Sequence, residues 1–467
     1  MSELWQLSAG ELAETIRTGG ASSREVLHAH FARVDAVNGH LNAVVRRLDD
    51  EAFAAADAAD AAVAAGDELG PLHGVPCSIK ENIDVAGTPT TQGVVAFAEA
   101  IAPIDAPTTA RMRAAGAIPF VRTNLPDFGL RVHTDSQLHG LTRNPWNPNV
   151  TAGGSSGGEA SAIASGMSPI GLGNDIGGSL RNPAHCCGIA SLKPTVGVIP
   201  MATVVPPEDM LVASQMMVVE GPMARTVADV RTGLNVLAGP DIRDPRSLPA
   251  NLTDSAPDER LTVAVLADPP GGATDVGIAA TIRSVGDRLS DAGHNVVEVV
   301  PPAYEEVIDL WGRLLIADIR AQKDLLLMVM GEEALQVLAS FDTNLPNTDF
   351  PLMLTLHAER FAAMRTWSAF FAEYPVLIGP TWAQPAFAHG ADLDLDNLEM
   401  ITDTIRPVVP ANLLGTPAVI TPGGIVDGLP VGVQVMGDRW TDLRCLTVAA
   451  EIESLVGTIT PIDPITA

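Results

Sequence analysis

Lysine, tyrosine and cysteine are scarce in this chain, and cationic residues are few. Only three lysines occur in 467 residues, at Lys80, Lys193 and Lys323, and Asp and Glu outnumber Lys and Arg by 56 to 28. The formal charge of -28 disfavours binding to nucleic acids or anionic membranes, because polyanions repel and no basic patch offsets the charge. We therefore expect neither as a partner, and each lysine becomes easier to interpret.

Cysteines and long apolar runs are also missing where particular protein classes would need them. The four cysteines, Cys77, Cys186, Cys187 and Cys445, form no spaced framework, and the adjacent pair lacks the separation of a zinc site. No apolar run reaches the roughly 18 residues of a membrane span, and the N-terminus lacks the apolar stretch of a signal peptide. The sequence thus predicts a cytoplasmic protein with reduced thiols.

Apolar periodicity predicts an α/β fold. Residues 8–66 have helical spacing, with Ser8 as the cap of the first helix. From Leu72 onward, short β-type runs alternate with helical ones, which is typical of strands connected by helices. We predict one large mixed β-sheet sandwiched between helices, in a single domain over residues 1–467. Its parts are a helical N-terminal extension (1–66), a core with the catalytic motifs (72–240), and the remaining core with substrate-cleft helices (261–467).

Two glycine-rich turns between Gly153 and Pro194 carry three serines. Ser155 and Ser156 lie in the first turn, which leads into a helix-like stretch, and helix N-termini polarise hydroxyl groups. Ser179 closes the second turn, where successive backbone N–H groups can point at one position, as an oxyanion hole requires. The pair of turns predicts a catalytic site.

Lys80 is the candidate base for these serines. It ends a strand-like segment that begins at Gly74, and Ser78 shares its face of the strand. A lysine acts as a base only when neutral, so burial must lower its pKa from about 10.4 toward roughly 7 to 8. The alternative is a lysine at a strand end that reaches solvent. Taken with both serine turns, the catalytic interpretation is favoured.

Four motifs together resemble the amidase signature family. They are GVPCSIKENID (74–84), TAGGSSGGEASAIASG (151–166), GNDIGGSLRNPAHCCGIASLKPTVG (173–197) and LPVGVQVMG (429–437). The resemblance spans nearly the whole chain and implies the amidase-signature fold with a Ser-cisSer-Lys triad. In that triad Ser179 is the nucleophile, Ser155 the bridging serine and Lys80 the base. The implied oxyanion donors are the N–H groups of Ile176, Gly177, Gly178 and Ser179, and no metal or organic cofactor is implied.

Other residues of the same motifs are expected to support the site. Asp175 and Arg181 can pair and hold the second turn, although Arg181 could instead anchor a substrate carboxylate. Ser156 is expected to hydrogen-bond to the triad, and Lys193 to be structural. His185 lies beside two cysteines, but consecutive residues rarely face one another productively, so we interpret all three as core packing.

The acyl-side pocket is expected near the loop TNLPDFG. Many family members have Glu where this loop has Asp127, and the neighbouring Phe128 and Gly129 are the predicted substrate-binding residues. The methionine-rich segment 201–223 and the apolar segment 324–330 further suggest a hydrophobic substrate cleft.

The predicted function is a serine amidohydrolase acting on apolar linear or aryl amides, with carbamates and esters as further small-molecule substrates. We expect a monomer or homodimer. One alternative is the A subunit of a tRNA-dependent amidotransferase, which shares the family fold and acts as a glutaminase. Another is an α/β-hydrolase esterase, because GGSSG also matches G-x-S-x-G and His357 and His389 follow it, although no HGGG-type loop is present.

Overall fold

A computed structural model describes residues 3–206, 208–249, 251–252, 254, 260–344, 346–394 and 398–466 of the chain, without side chains at 341–344 and 398–399. Within these residues eleven strands form one mixed β-sheet, and two further strands form a small hairpin. The predicted α/β class with a large mixed sheet is therefore confirmed. Met1, Ser2 and Ala467, at the ends of the predicted domain, lie outside the described residues.

The strands follow one another along the chain from Val44 to Met436. They are β1 (Val44–Arg47), β2 (Pro76–Lys80), β3 (Ile118–Thr123), β4 (Asp135–Ser136), β5 (Gly140–Leu141), β6 (Ile170–Asp175), β7 (Ala190–Lys193), β8 (Val219–Ala224), β9 (Thr262–Val265), β10 (Asn295–Glu298), β11 (Val376–Pro380), β12 (Ala418–Val426) and β13 (Leu429–Met436). Their order across the sheet is β1-β3-β2-β6-β8-β7-β12-β13-β11-β9-β10, and β4 pairs with β5. Pairing is parallel within β3-β2-β6 and within β11-β9-β10, and antiparallel elsewhere.

Helices cover both faces of the sheet. They are α1 (Ala9–Arg17), α2 (Ser23–Leu41), α3 (Asp49–Ala65), α4 (Pro107–Ala114), α5 (Gly157–Ala164), α6 (Arg181–Cys187), α7 (Val212–Met217), α8 (Val227–Leu237), α9 (Val276–Asp291), α10 (Tyr304–Ala321), α11 (Lys323–Val329), α12 (Glu332–Asn344), α13 (Phe350–Glu373), α14 (Leu398–Ile405), α15 (Val409–Leu414) and α16 (Asp442–Val456). Along β9, Val263 and Val265 enter one apolar cluster and Ala264 another, because side chains alternate along a strand. In the described part of the chain, no helix combines the length and apolarity needed to cross a bilayer.

The N-terminal region differs from the predicted all-helical extension. Ser8 does cap α1, since its side chain accepts from the Glu11 N–H, and α2 and α3 are helical as predicted. Between them, however, Val44–Arg47 forms β1, which pairs antiparallel with β3. The adjacent β-branched residues Val44 and Val45 favour a strand, and the edge of β3 supplies the hydrogen bonds.

The sheet brings the predicted catalytic segments to one edge. β2 and β6 are adjacent and parallel, so their carboxyl ends, at Lys80 and Asp175, lie side by side. The second glycine-rich turn follows β6 directly, and the first turn precedes α5, which packs on β2 and β6. Residues distant in sequence thus meet where parallel strands end.

Candidate active site

Lys80 lies inside the protein and not at a solvent-facing strand end. Its side chain is 0% exposed, and Nζ is 2.7 Å from both Ser155 Oγ and Asn174 Oδ1. Burial lowers the pKa of Lys80 to about 7, although the charges of Asp175 and Glu159 act to raise it. Near neutral pH a large fraction of this lysine is therefore unprotonated, which is the form that a base requires.

Glu159, which the sequence interpretation missed, lies fully buried close to Lys80. Its carboxyl accepts hydrogen bonds from the Ser78 hydroxyl and, at 2.5 Å, from Thr123 Oγ1. Burial raises the pKa of Glu159 to about 7, although these two hydrogen bonds act to lower it. A Cβ at Gly171 would lie 1.7 Å from Glu159 Oε1, so the carboxyl occupies space that only glycine leaves open. The sole sequence signal was one acidic residue in an otherwise apolar short helix.

In the first turn, Ser155 Oγ contacts Lys80, whereas Ser156 Oγ forms no hydrogen bond with the described residues. The Gly154–Ser155 peptide bond is cis, and a Cβ at Gly129 would lie 3.0 Å from Ser155 Oγ. The predicted hydrogen bond from Ser156 to the triad is not made by its side chain, because Ser156 Oγ has no partner among the described residues. That side chain lies against β6, where a Cβ at Gly173 would be 2.8 Å from it. Ser156 contributes through its N–H, which donates to the Ser179 carbonyl at 3.3 Å.

Ser179 borders a cavity at the end of the second turn. The residue is 7% exposed, and its hydroxyl forms no hydrogen bond to any described residue, Ser155 included. A hydrogen bond therefore joins Lys80 to Ser155, but none joins the Ser155 hydroxyl to the Ser179 hydroxyl. Catalytic hydrogen bonds commonly tighten only when substrate is bound, so this geometry is compatible with a relay.

The backbone amides of the second turn divide into engaged and free donors. Gly178 N–H donates to Asp175 Oδ1 at 2.8 Å, so its predicted role as an oxyanion donor is wrong for this arrangement. The N–H groups of Ile176, Gly177 and Ser179 donate to no acceptor within the described residues. Three of the four predicted donors therefore remain free to bind an oxyanion.

The predicted pair of Asp175 and Arg181 is confirmed. Both side chains are fully buried and joined by two hydrogen bonds of 3.0 Å. Burial disfavours the charge of Asp175, but Arg181 holds the pKa of that carboxyl below its ordinary range. The guanidinium also donates to Gln434 Oε1 and Asn412 Oδ1, at 2.7 and 2.6 Å. Arg181 therefore supports the turn, and its alternative role as a substrate anchor receives no support.

Two further buried residues of these motifs are structural, as predicted. Lys193 Nζ donates to the carbonyl oxygens of Pro194 and Thr416, at 2.9 and 2.8 Å. His185 Nδ1 accepts from the Gly432 N–H, and burial lowers the pKa of His185 to about 3, so its ring is neutral. Cys186 and Cys187 are buried, which agrees with their expected core packing, and Cys77 and Cys445 are buried as well.

A cavity of about 350 Å³ extends from Ser179 and Gly129 beneath α10. Its walls are mainly apolar and include Leu130, Val132, Ile308, Trp311, Leu315 and Ile405. The volume is typical of a small-molecule site, and the absence of polar atoms along most of its wall favours an apolar occupant.

Some residues predicted for this pocket lie elsewhere. Phe128 packs edge-on against Phe97, with ring centroids 5.8 Å apart, and does not line the cavity, whereas Gly129 does. Asp127 accepts from the N–H groups of Gly331 and Gln137, at 2.7 and 3.2 Å, and so ties its loop to the start of α12. Segment 201–223 contributes no wall to this cavity, and Leu326 and Leu327 of segment 324–330 line a neighbouring pocket instead.

Trp311 joins the cavity wall to the second turn. Its indole Nε1 donates to the Ile176 carbonyl at 3.0 Å, and a Cβ at Gly177 would lie 2.8 Å from its ring. The sequence offered no signal for this residue beyond one aromatic on an amphipathic helix. The contact links the group that would bind a substrate to the turn that would stabilise its oxyanion.

Trp311→Phe is expected to lower kcat about 3- to 10-fold with little change in KM, because one hydrogen bond orienting the turn is lost while an aromatic side chain still lines the cavity. Trp146→Phe is the matched control, since Trp146 Nε1 also donates to a backbone carbonyl, that of Cys187 at 2.9 Å, outside the cavity. Steady-state kinetics of both variants check this. Equal kcat for Trp311→Phe and the parent protein would contradict it.

Known proteins show the same fold and family. The family model described as Amidase matches residues 25–446. The chain is 40% identical to an indoleacetamide hydrolase of Bradyrhizobium diazoefficiens, over 98% of this chain and 88% of that protein. It is 32% identical to the A subunit of the glutamyl-tRNA(Gln) amidotransferase from Salinispora arenicola, over 99% of each. A solved bacterial aryl acylamidase of the amidase signature enzymes superposes with a TM-score of 0.83 at 25% identity, covering 99% of this chain and 98% of that one.

The sheet, the buried lysine and the two serine turns define an α/β amidohydrolase. The chain belongs to the amidase signature family. It is an amidase, a hydrolase of C–N bonds other than peptide bonds. The esterase alternative fails on geometry as well, because His389 Nε2 bonds to the Pro148 carbonyl and His357 has no hydrogen-bond partner among the described residues.

Proposed function

We propose that this amidase hydrolyses apolar linear and aryl amides through an acyl-enzyme formed on Ser179. The observation that carries the proposal is the apolar cavity of about 350 Å³, which ends at Ser179 beside the Lys80 and Ser155 pair. A substrate held by its apolar group in this cavity would present its carbonyl carbon to Ser179. The proposed roles are base for Lys80, proton relay for Ser155 and nucleophile for Ser179.

Acylation begins with neutral Lys80. Its amine takes the proton of Ser155, whose oxygen takes the proton of Ser179 as Ser179 Oγ attacks the carbonyl carbon. The pKa of about 7 makes the neutral amine abundant at neutral pH, and the 2.7 Å separation from Ser155 Oγ suits direct proton transfer. Asn174 Oδ1, also 2.7 Å from Nζ, keeps the amine aimed at Ser155.

The oxyanion that forms would be bound by free backbone amides of the second turn. Removing one donor of this kind costs about 3 to 4 kcal/mol in comparable sites. The proton then passes back through Ser155 to the leaving nitrogen, the C–N bond breaks and the amine departs. Water next attacks the acyl carbon while its proton passes through Ser155 to Lys80. The bond from the acyl carbon to Ser179 Oγ then breaks, the proton returns through Ser155 to that oxygen, and the carboxylic acid departs.

The charged groups around the cavity argue for neutral, apolar substrates. Arg131 lines the cavity but is bound by Asp392, at 2.8 and 3.1 Å, and by Glu333 at 3.0 Å. Arg406 donates to the carbonyls of Asp403 and Gly272, at 2.6 and 2.9 Å. A substrate carboxylate would therefore have to displace existing hydrogen bonds of these two guanidinium groups, and burying an unpaired charge is costly. Arylacetamides such as indole-3-acetamide fit this chemistry, and the indoleacetamide hydrolase relative supports testing them.

Carbamates and esters belong to the same proposal because an acyl-enzyme route accepts each kind of carbonyl. The glutaminase alternative is supported by the amidotransferase relative, at 32% identity. The described cavity disfavours it, since glutamine carries both an ammonium and a carboxylate that the apolar wall would have to bury.

A hydrolysis panel tests the proposed function. Indole-3-acetamide, phenylacetamide, an aliphatic amide, an anilide, a carbamate, an ester and glutamine would be assayed with the parent protein and with Ser179→Ala. We expect kcat/KM for the best apolar amide to exceed that for glutamine at least about 100-fold, because a mismatched polar group is rejected strongly.

Glutamine as the best substrate would favour the amidotransferase alternative. Hydrolysis of no amide on the panel would reject the proposed substrate class, and activity surviving in Ser179→Ala would reject the proposed nucleophile. Ester turnover without amide turnover would also contradict the proposal.

A further inference from the structure

Asn182 connects the two serine turns. Its side chain is 0% exposed, and Nδ2 donates to the carbonyl oxygens of Gly154 and Gly177, each at 3.2 Å. Gly154 directly precedes Ser155 in the first turn, and Gly177 lies in the second turn two residues before Ser179. A single amide group therefore holds both turns at fixed separation.

The hydrogen bond from Asn182 Nδ2 to the Gly177 carbonyl influences the direction of the backbone N–H groups that would bind the oxyanion. In a trans peptide, the carbonyl of one residue and the N–H of the next point in opposite directions. Asn182 holds the Gly177 carbonyl, and Asp175 accepts the Gly178 N–H at 2.8 Å, so this peptide plane is fixed at both ends. The free N–H groups of Gly177 and Ser179 flank the fixed plane, and their directions depend on it.

Asn182 is itself held in one orientation. Its Oδ1 accepts from Trp382 Nε1 at 2.8 Å, which assigns the amide nitrogen to the two carbonyls. Trp382 is fully buried and stacks on Phe387, with ring centroids 5.5 Å apart and planes at 9°. A Cβ at Gly178 would lie 2.3 Å from Asn182 Oδ1, so the turn leaves room for this amide only because that position is glycine.

We propose that Asn182 is a positioning residue, held by Trp382, which sets the geometry of the serine turns and the direction of their free amides. The proposal rests on the proposed roles of Ser155 and Ser179. It assigns Asn182 no contact with substrate, so its loss should slow the chemical step and leave binding nearly unchanged. A merely structural asparagine would instead change stability alone.

The chain contains a closely matched control at Asn144. This residue is also 0% exposed, and its Nδ2 donates to two backbone carbonyls, those of Thr151 and Cys186, both at 2.9 Å. Its Oδ1 likewise accepts one N–H, from the Trp146 backbone at 2.8 Å. Asn144 therefore makes the same number and kind of hydrogen bonds without touching the second turn.

The test compares Asn182→Leu with Asn144→Leu, since leucine keeps the side-chain size and removes every hydrogen bond. Thermal melting, kcat and KM on the best amide of the panel, and the rate of Ser179 labelling by a fluorophosphonate would be measured. For Asn182→Leu we expect kcat and the labelling rate to fall about 10- to 100-fold, with KM within about 3-fold, since oxyanion donors act on the transition state. For Asn144→Leu we expect kcat within about 3-fold at a similar loss of Tm.

Equal kcat losses in the two variants, or an unchanged kcat in Asn182→Leu, would overturn the proposal. If Asn182→Leu does not fold, Trp382→Phe replaces it. This variant keeps an aromatic ring beside Phe387 and removes the hydrogen bond that fixes the Asn182 amide, and an unchanged kcat would then reject the proposal. Labelling needs no amide substrate. A parent protein that is labelled at Ser179 but cleaves no amide would therefore contradict the proposed function, while the labelling rates of the variants still decide the role of Asn182.

Discussion

Replacing Ser179 by alanine is expected to abolish amide hydrolysis, with kcat reduced by about 10⁴-fold or more while the protein remains folded. The substitution removes the proposed attacking oxygen, and the Ser179 hydroxyl makes no hydrogen bond to described residues that the fold would lose. Steady-state assays with the best amide of the panel, thermal melting, and mass spectrometry of the trapped acyl-enzyme check the three parts of this expectation.

The first serine turn supplies two internal comparisons. Ser156 is adjacent in sequence to the proposed relay residue Ser155. Ser156→Ala should nevertheless change kcat by less than about 3-fold, because the Ser156 hydroxyl has no hydrogen-bond partner among the described residues. Ser155→Ala should reduce kcat strongly but less than Ser179→Ala, because a water molecule can occupy the bridging position. A Ser179→Ala protein that keeps more than about 1% of the parent kcat would reject the nucleophile assignment.

Lys80→Met is expected to reduce kcat/KM by about 10²- to 10⁴-fold, the usual contribution of a positioned base. In the parent protein kcat/KM should rise with pH through about 7, because only deprotonated Lys80 accepts the Ser155 proton, and then level off. The variant should lose this rise. A pH series of kcat/KM from about 5.5 to 9 measures both effects.

Lys193→Met is the control, because burial lowers the pKa of Lys193 to about 7 as well, yet its amine bonds only to backbone carbonyls. It should retain the rise in kcat/KM around pH 7. Glu159 also titrates near pH 7, so Glu159→Gln separates its effect: removal of its negative charge should move the rise to lower pH without abolishing it. The base assignment is wrong if Lys80→Met keeps the parent pH profile.

Much of the site was predictable because the motifs are local in sequence. Glycines mark both turns, and the strand pattern ending at Lys80 placed that lysine beside Ser78 on one face. The engaged amide of Gly178 and the unpartnered hydroxyl of Ser156 were not predictable. Each depends on where β6 and Asp175 lie relative to the turn, and neighbouring residues in a turn can point in opposite directions at small energetic cost.

The substrate cavity was beyond prediction for a related reason. Methionine-rich segment 201–223 had the composition of a cleft but lies elsewhere, whereas Trp311 and Ile308 of α10 form the wall. An apolar helix face packs equally well on a core or over a cavity, so its composition does not distinguish the two. Strand β1 was not predicted for the same reason: the four residues at 44–47 form a strand only because they pair with the edge of β3, which is distant in sequence.

The amino-acid sequence by itself determined the α/β class, the family and the candidate side chains Lys80, Ser155 and Ser179, because these depend on periodicity and on short motifs. Only the tertiary structure decided the pKa values of those side chains and the directions in which they point. The pKa of Lys80 near 7 comes from burial between β3 and β6, and the shape of the pocket comes from α10. The link between the turns comes from Asn182 and Trp382, which are 200 residues apart. Desolvation and hydrogen-bond direction are properties of contacts between distant segments, and they arise only when the chain has folded.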